Sequence, residues 1–133
     1  MSDDLPKTDA EWRARLTPLQ FAVLRQAGTE RAFTGALTDH FAPGTYRCAA
    51  CSQTLFHADS KFHSGCGWPA FSAAADAGAI RTERDLSHGM LRTEVLCSHC
   101  DSHLGHVFRD GPPPSHIRYC INSVCLEFVP DAE

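Results

Sequence analysis

The chain has 133 residues, of which 43% are hydrophobic and 21% charged, and its 12 Lys and Arg stand against 16 Asp and Glu for a formal net charge of -4. That length builds one core of ordinary size and not two, and the composition excludes disorder over most of the chain. The acidic balance, with no cluster of Lys or Arg to displace counterions, excludes a nucleic-acid partner.

One domain is therefore expected, residues 1–133, with a helical segment over 8–28 and a β core over 43–130. The start, Met1-Ser2-Asp3-Asp4-Leu5-Pro6-Lys7, carries neither a basic region before an apolar stretch nor an Arg-rich amphipathic pattern. No secretory or organellar address is expected from it. No apolar run approaches the length that crosses a bilayer, so the expectation is a cytoplasmic protein without a membrane partner. Seven cysteines in a reducing compartment point to metal or catalysis rather than structural disulfides, and an odd number cannot all pair.

Thr8 with Glu11, and Thr17 with Gln20, each form a Thr-x-x-Glu/Gln capping box, and Pro18 stands where a first helical residue tolerates proline. Helices are predicted over about 9–15 and 18–27, the second stopped by Gly28. Trp12, Leu16, Leu19, Phe21, Val23 and Leu24 are expected to pack into the core. From residue 43 the chain breaks into short β-type runs: 45–47, 54–56, 91–96, 106–108, and a terminal strand over 118–128 between Gly111-Pro112-Pro113-Pro114 and Pro130. Ala73 to Ser87 reads as a loop or a single helical turn. Short strands with turns and no alternating helices predict a mainly β fold, an antiparallel sandwich or barrel-like domain with short N-terminal helices.

Cys48-Ala49-Ala50-Cys51 and Cys97-Ser98-His99-Cys100 are two Cys-x-x-Cys knuckles. One tight turn aims two sulfurs at a common ion, so two knuckles supply the four thiolates of a closed tetrahedral Zn²⁺ site. Four sulfurs leave no open position for water, and one structural zinc is expected; His99 is read as an exposed knuckle residue. The rival is one redox-active pair plus one chance pair, but the βαβ context usual for thiol exchange is missing.

Cys66, Cys120 and Cys125 remain. Cys66 lies in Ser64-Gly65-Cys66-Gly67-Trp68-Pro69-Ala70-Phe71, a glycine-rich loop whose thiol is accessible. Trp68 and Phe71 either anchor that loop to the core or wall a ligand's methyl or thioether. His103 and His106 in His103-Leu104-Gly105-His106-Val107-Phe108-Arg109-Asp110-Gly111 are candidate proton donors near neutral pH. On the terminal strand, alternation places Arg118, Cys120 and Asn122 on one face and Tyr119, Ile121 and Ser123 on the other. Alone, Cys120 reads more readily as one more small buried apolar residue, and the other cysteines change that.

Together Cys48-x-x-Cys51, Ser64 to Phe71, Cys97-x-x-Cys100, His103 to Phe108 with Asp110-Gly111-Pro112, and Arg118 to Ser123 resemble the peptide methionine (R)-S-oxide reductase family, the B-type methionine sulfoxide reductases. The resemblance runs from about Leu16 to Phe128. It implies a β-sandwich-like fold closed by structural zinc, and repair of methionine-R-sulfoxide in oxidised proteins with thioredoxin as electron donor. On the matching positions it implies Cys120 as nucleophile, Cys66 as resolving thiol and Trp68 and Phe108 as the pocket for the substrate methyl. His103, His106, Asp110, Arg118 and Asn122 would form the polar set around the sulfoxide oxygen and the reactive sulfur. Cys125 departs from the family pattern, which more commonly has a small residue there.

Those residue types suit the reaction. A thiolate attacks the sulfoxide sulfur, an acid protonates its oxygen, and the sulfenic acid left behind condenses with a second thiol. Arg118 and the histidines are the groups expected to lower the Cys120 pKa, with His103 the first proton donor and His106 the second. Along a continuous strand Cys125 lies about 16 Å from Cys120 on the opposite face, too far for a disulfide, and is expected in the core. A zinc-ribbon interaction domain would leave Cys66, the histidines and the Arg/Cys/Asn face without purpose. A thiol peroxidase shares the two-thiol logic and is separated by substrate.

Overall fold

The computed structural model describes residues 5–86 and 89–131. Residues 1–4, on which the reading of the N-terminus partly rests, and Ser87 lie outside them. Both capping boxes form: Thr8 heads α1 (Asp9–Arg15) and Thr17 heads α2 (Pro18–Leu24), each threonine hydroxyl accepting from the third helical N–H while Glu11 or Gln20 accepts from the cap N–H. The second helix stops at Leu24, three residues short of the expected 27. The left-handed residue after it is Ala27, at φ 57, and Gly28 instead donates its N–H to the Ala22 carbonyl at 2.9 Å. Leu19, expected in the core, is 51% exposed; Trp12, Leu16, Phe21, Val23 and Leu24 are buried as expected.

Among the described residues eight strands follow: β1 (Gly44–Cys48), β2 (Thr54–His57), β3 (Ala70–Phe71), β4 (Ile80–Asp85), β5 (Arg92–Cys97), β6 (His103–Phe108), β7 (Arg118–Ile121) and β8 (Leu126–Pro130). They form two antiparallel sheets, one ordered β2-β1-β8 and one ordered β3-β7-β6-β5-β4. The fold is mainly β with two short helices, as predicted. Phe56 of β2 stacks on Phe71 of β3 at 4.3 Å between ring centroids, and Tyr46 of β1 meets Phe71 edge-on at 5.1 Å, so the two sheets share an aromatic core. Among the described residues no helix is long and apolar enough to cross a membrane.

Two expectations about the strands are corrected as well. Residues 80–85, expected as loop or helical turn, are the edge strand β4; its polar, half-exposed sequence hides the strand period because neither face is fully buried. The stretch 118–128 is not one strand. It is β7 in the larger sheet and β8 in the smaller, separated by a 3-10 turn over Ser123–Cys125. The chain leaves the larger sheet where the Asn122 N–H donates to the Leu104 carbonyl at 2.9 Å and the Val124 N–H donates to the buried Glu30 carboxylate at 2.9 Å. Side-chain alternation therefore holds only over Arg118–Ile121.

The helices close the end of the molecule that carries the knuckles. Arg15 Nη1 donates to the Ala50 carbonyl in the first knuckle at 2.9 Å, and Arg25 Nη1 donates to the Cys100 carbonyl in the second at 2.8 Å.

Candidate active site

Cys120 sits in the middle of β7, paired with Ala70 of β3 on one side and His106 of β6 on the other. The adjacent Gly105 permits this close approach, since a β-carbon there would strike the Cys120 carbonyl oxygen. Cys66 arrives on the loop before β3. Its flanking glycines are left-handed, Gly65 at φ 77 and Gly67 at φ 96, and the Gly67 carbonyl accepts from Phe33 N–H at 2.7 Å. This loop brings the Cys66 sulfur to 3.4 Å from the Cys120 sulfur.

At that separation the two thiols share protons. Cys66 is pulled down to about 5, first because it accepts the Cys120 S–H, then with help from the Ser64 hydroxyl at 2.9 Å and the positive charge of Arg118 against partial burial. Cys120 is pushed well above the ordinary thiol range, by the same hydrogen bond seen from the donor's side and by burial. The sequence-based expectation of a lowered Cys120 is thus corrected: within the pair Cys66 is the lowered thiol and Cys120 the raised one.

Around the sulfurs lies a cavity of about 250 Å³ whose wall includes Trp68, His106, Phe108, Arg118, Cys120 and Asn122. Trp68 is held by its indole N–H donating to the Glu30 carbonyl at 3.0 Å. Arg118 is clamped by a two-pronged pair with Asp110, at 2.8 and 3.2 Å, and lies 4.4 Å over the Phe108 ring. Its guanidinium holds the Asp110 carboxyl below the usual carboxylate range. Asn122 is buried, donating to the Leu104 carbonyl at 3.0 Å and accepting from the Glu30 N–H at 2.9 Å.

The two histidines lie three residues apart, yet their rings are 5.5 Å apart between centroids. A bulge makes this contact: Val95 pairs with Gly105 and Leu96 with His103, so β6 carries one extra residue and His103 is re-aimed. His106 lines the cavity, and its Nε2 lies 2.8 Å from Asp85 Oδ2; burial lowers its pKa against the pull of that carboxylate. His103 sits deeper, 5% exposed, with Nδ1 2.7 Å from Glu94 Oε2.

The four knuckle sulfurs of Cys48, Cys51, Cys97 and Cys100 all lie within 4.8 Å of one another. An ion about 2.3 Å from each of four tetrahedral thiolates requires sulfurs about 3.8 Å apart. The Cys48 and Cys100 sulfurs are 3.8 Å apart and those of Cys51 and Cys97 3.5 Å, so the donor set fits a metal ion of that kind. Crowding drives two of the four toward thiolate: Cys100 is pushed far down by hydrogen bonds from Cys48, Cys51 and Cys97, and Cys97, raised by Cys100, is lowered on balance by Cys48 and Cys51.

A family model described as the SelR domain matches residues 16–130. The chain belongs to this family. It is 62% identical over 130 residues to the peptide methionine sulfoxide reductase MsrB of Thiobacillus denitrificans, covering 98% of each chain. It is 54% identical over 128 residues to the protein of that name from Pseudomonas savastanoi pv. phaseolicola, covering 96% of this chain and 98% of the relative, and 52% identical over 128 residues to that of Synechococcus sp., covering 96% and 94%.

This SelR-domain chain brings most of the expected site residues together. Cys66, Cys120, Trp68, His106, Phe108, Arg118 and Asn122 line one cavity, with Asp110 behind Arg118 and His103 behind the wall. Phe71 is the exception: it is wholly buried against Phe56 and Tyr46, part of the core and not of the pocket wall. Cys125 is also core, its sulfur 3.3 Å from the His103 carbonyl, and burial pushes its pKa up. Sequence reasoning missed Thr29, Arg92 and Gly105 on the wall and Asp85, Glu94 and Glu30 behind it. Gly105 is enclosed by the two histidines and Arg92 and Glu94 lie in the predicted run 91–96, but no local signal marks any of these residues as part of a site.

Proposed function

We propose that this protein reduces methionine-R-sulfoxide residues of oxidised proteins to methionine; the names of its relatives support sulfoxide reduction, and its two adjacent cavity sulfurs support a thiol mechanism. The observation that carries the reading is the 3.4 Å separation of Cys66 and Cys120 at the cavity wall. Cys120 passes its proton to the Cys66 thiolate and attacks the sulfoxide sulfur. The substrate oxygen, protonated by a cavity acid, ends on Cys120 as a sulfenic acid while methionine departs. The Cys66 thiol then displaces that hydroxyl as water, giving a Cys66–Cys120 disulfide. A dithiol reductant, thioredoxin in our reading, reduces it in two thiol exchanges.

Trp68 and Phe108 supply the apolar wall for the substrate's methyl, while Arg118, positioned by Asp110, and Asn122 face the polar end. Of the two histidines, His106 is the one on the wall, and we assign it the proton that His103 was expected to give; His103 supports it from behind. The four-cysteine cluster would hold one Zn²⁺, a closed site that secures the fold and has no coordination position for substrate. A thiol set of this kind suits a reducing compartment, and we place the protein in the cytoplasm.

An assay with the two epimers of methionine sulfoxide tests the reading. Turnover of the R epimer with thioredoxin, and none of the S epimer, is expected. Peroxide turnover without sulfoxide turnover would replace it with a thiol peroxidase.

A further inference from the structure

Asp85 ends β4 as the cross-strand partner of Arg92, which opens β5. Its Oδ2 lies 2.8 Å from His106 Nε2 and 3.6 Å from Arg92 Nη2, and both of those side chains line the cavity. His106 is in turn the cross-strand partner of Cys120, and residues so paired point to the same face of a sheet. A row thus runs across the sheet from carboxylate through imidazole to sulfur. We propose that Asp85 is a positioning residue for the reaction, holding the Nε2 edge of His106 so that Nδ1 is the ring nitrogen offered to the substrate. This rests on the sulfoxide reductase reading above.

An ionised carboxylate only accepts hydrogen bonds, so the ring hydrogen of neutral His106 resides on Nε2 and Nδ1 carries the lone pair. His103 is held the other way round. Its Nδ1 faces Glu94, and its Nε2 is buried without a hydrogen-bond partner among the described residues. The two histidines of one short motif are therefore fixed in opposite tautomers by carboxylates from two different strands. The charged and titratable groups about His106 are Asp85 on β4, Arg92 and Glu94 on β5, His103 on β6, and Cys120 and Arg118 on β7. Burial, Arg92 and His103 all disfavour the imidazolium, and the carboxylate in contact with the ring is what opposes them.

The consequence is a proton route with a fixed end. Solvent protonates Nδ1, and the resulting imidazolium lies against the Asp85 carboxylate. As the bond between the Cys120 sulfur and the substrate sulfur forms, that proton passes to the sulfoxide oxygen. It leaves in the hydroxyl of the Cys120 sulfenic acid, and neutral His106 is regenerated.

Nitrogen-resolved NMR of the imidazoles in the reduced, substrate-free protein should find the His106 hydrogen on Nε2, and Asp85→Asn should lose that preference. In single turnover without reductant, Asp85→Asn should slow disulfide formation by about 10- to 100-fold. It should leave KM nearly unchanged and move the loss of rate at rising pH downward by about 1 pH unit, since an acid without its counter-ion gives up its proton earlier. Asp85→Glu should restore part of the rate and of the pH profile. If Asp85→Asn does not fold, the wild-type tautomer and the Asp85→Glu profile decide. A wild-type His106 carrying its hydrogen on Nδ1, or variants with the wild-type pH profile, would overturn the proposal. A wild type unable to reduce the R epimer would instead overturn the function on which it rests.

Discussion

Gly105 leaves no room between its backbone and that of Cys120: a single β-carbon on Gly105 would run into the Cys120 carbonyl oxygen and the Ile121 α-carbon. Both obstacles are main chain, which cannot swing aside as a side chain would. Gly105→Ala should therefore force β6 and β7 apart and cost about 1–3 kcal/mol, readable in urea unfolding, with a larger loss of turnover because His106 and Cys120 separate. Wild-type stability in that variant would mean that the strands yield freely.

Alkylation should read the shared proton of the two sulfurs directly. Cys66 sits near 5, so its labelling by iodoacetamide should already be fast at pH 6 and fall only as pH drops through that value. The largest cause is the Cys120 S–H, so in Cys120→Ala the same labelling should require a higher pH. An unmoved profile would assign the lowering to Arg118 and Ser64 instead.

The roles assigned to three cysteines separate in turnover. Cys120→Ser should abolish sulfoxide reduction and leave metal content intact. Cys66→Ser should still release about one methionine per protein and then stop with Cys120 as a sulfenic acid, detectable by mass. Cys125→Ser should cycle with thioredoxin like the wild type. Continued cycling in Cys66→Ser would require another resolving thiol.

Trp68 and Phe71, three residues apart, should fail in different ways. Phe71→Ala removes a ring wholly enclosed between two sheets and should cost about 3–5 kcal/mol of stability. Trp68→Ala opens the cavity wall and should raise KM for the sulfoxide with a smaller effect on the melting temperature. Thermal unfolding and steady-state kinetics of the pair test this.

Removing metal from the four-cysteine cluster should unfold the protein rather than merely inactivate it. The knuckles are 45 residues apart in the chain and converge only in the folded state, so binding free energy is also folding free energy. Treatment with a chelator should release one Zn²⁺ per chain and abolish the near-ultraviolet dichroism of the aromatic core. A metal-free protein that kept that signal would show that the two sheets hold without the ion.

What the sequence determined by itself is everything encoded within a few residues of itself. The capping boxes at Thr8 and Thr17 specify the helix starts because their partners are three positions away. The two Cys-x-x-Cys turns specify a metal-sized nest of sulfurs, and the motifs around Cys66, His103 and Cys120 announce the family. The tertiary structure decided what depends on partners far along the chain. It broke the apparent strand 118–128 at Asn122, where Glu30 from beyond α2 caps the 3-10 turn. It sent Phe71 of β3 into the core against Phe56 and Tyr46 of the other sheet and kept Trp68, on the bend before β3, at the cavity. It lowered the Cys66 thiol and raised that of Cys120, and it placed Asp85 and Glu94 behind histidines on another strand. Electrostatic effects depend on distances in space, and no spacing along the chain encodes those.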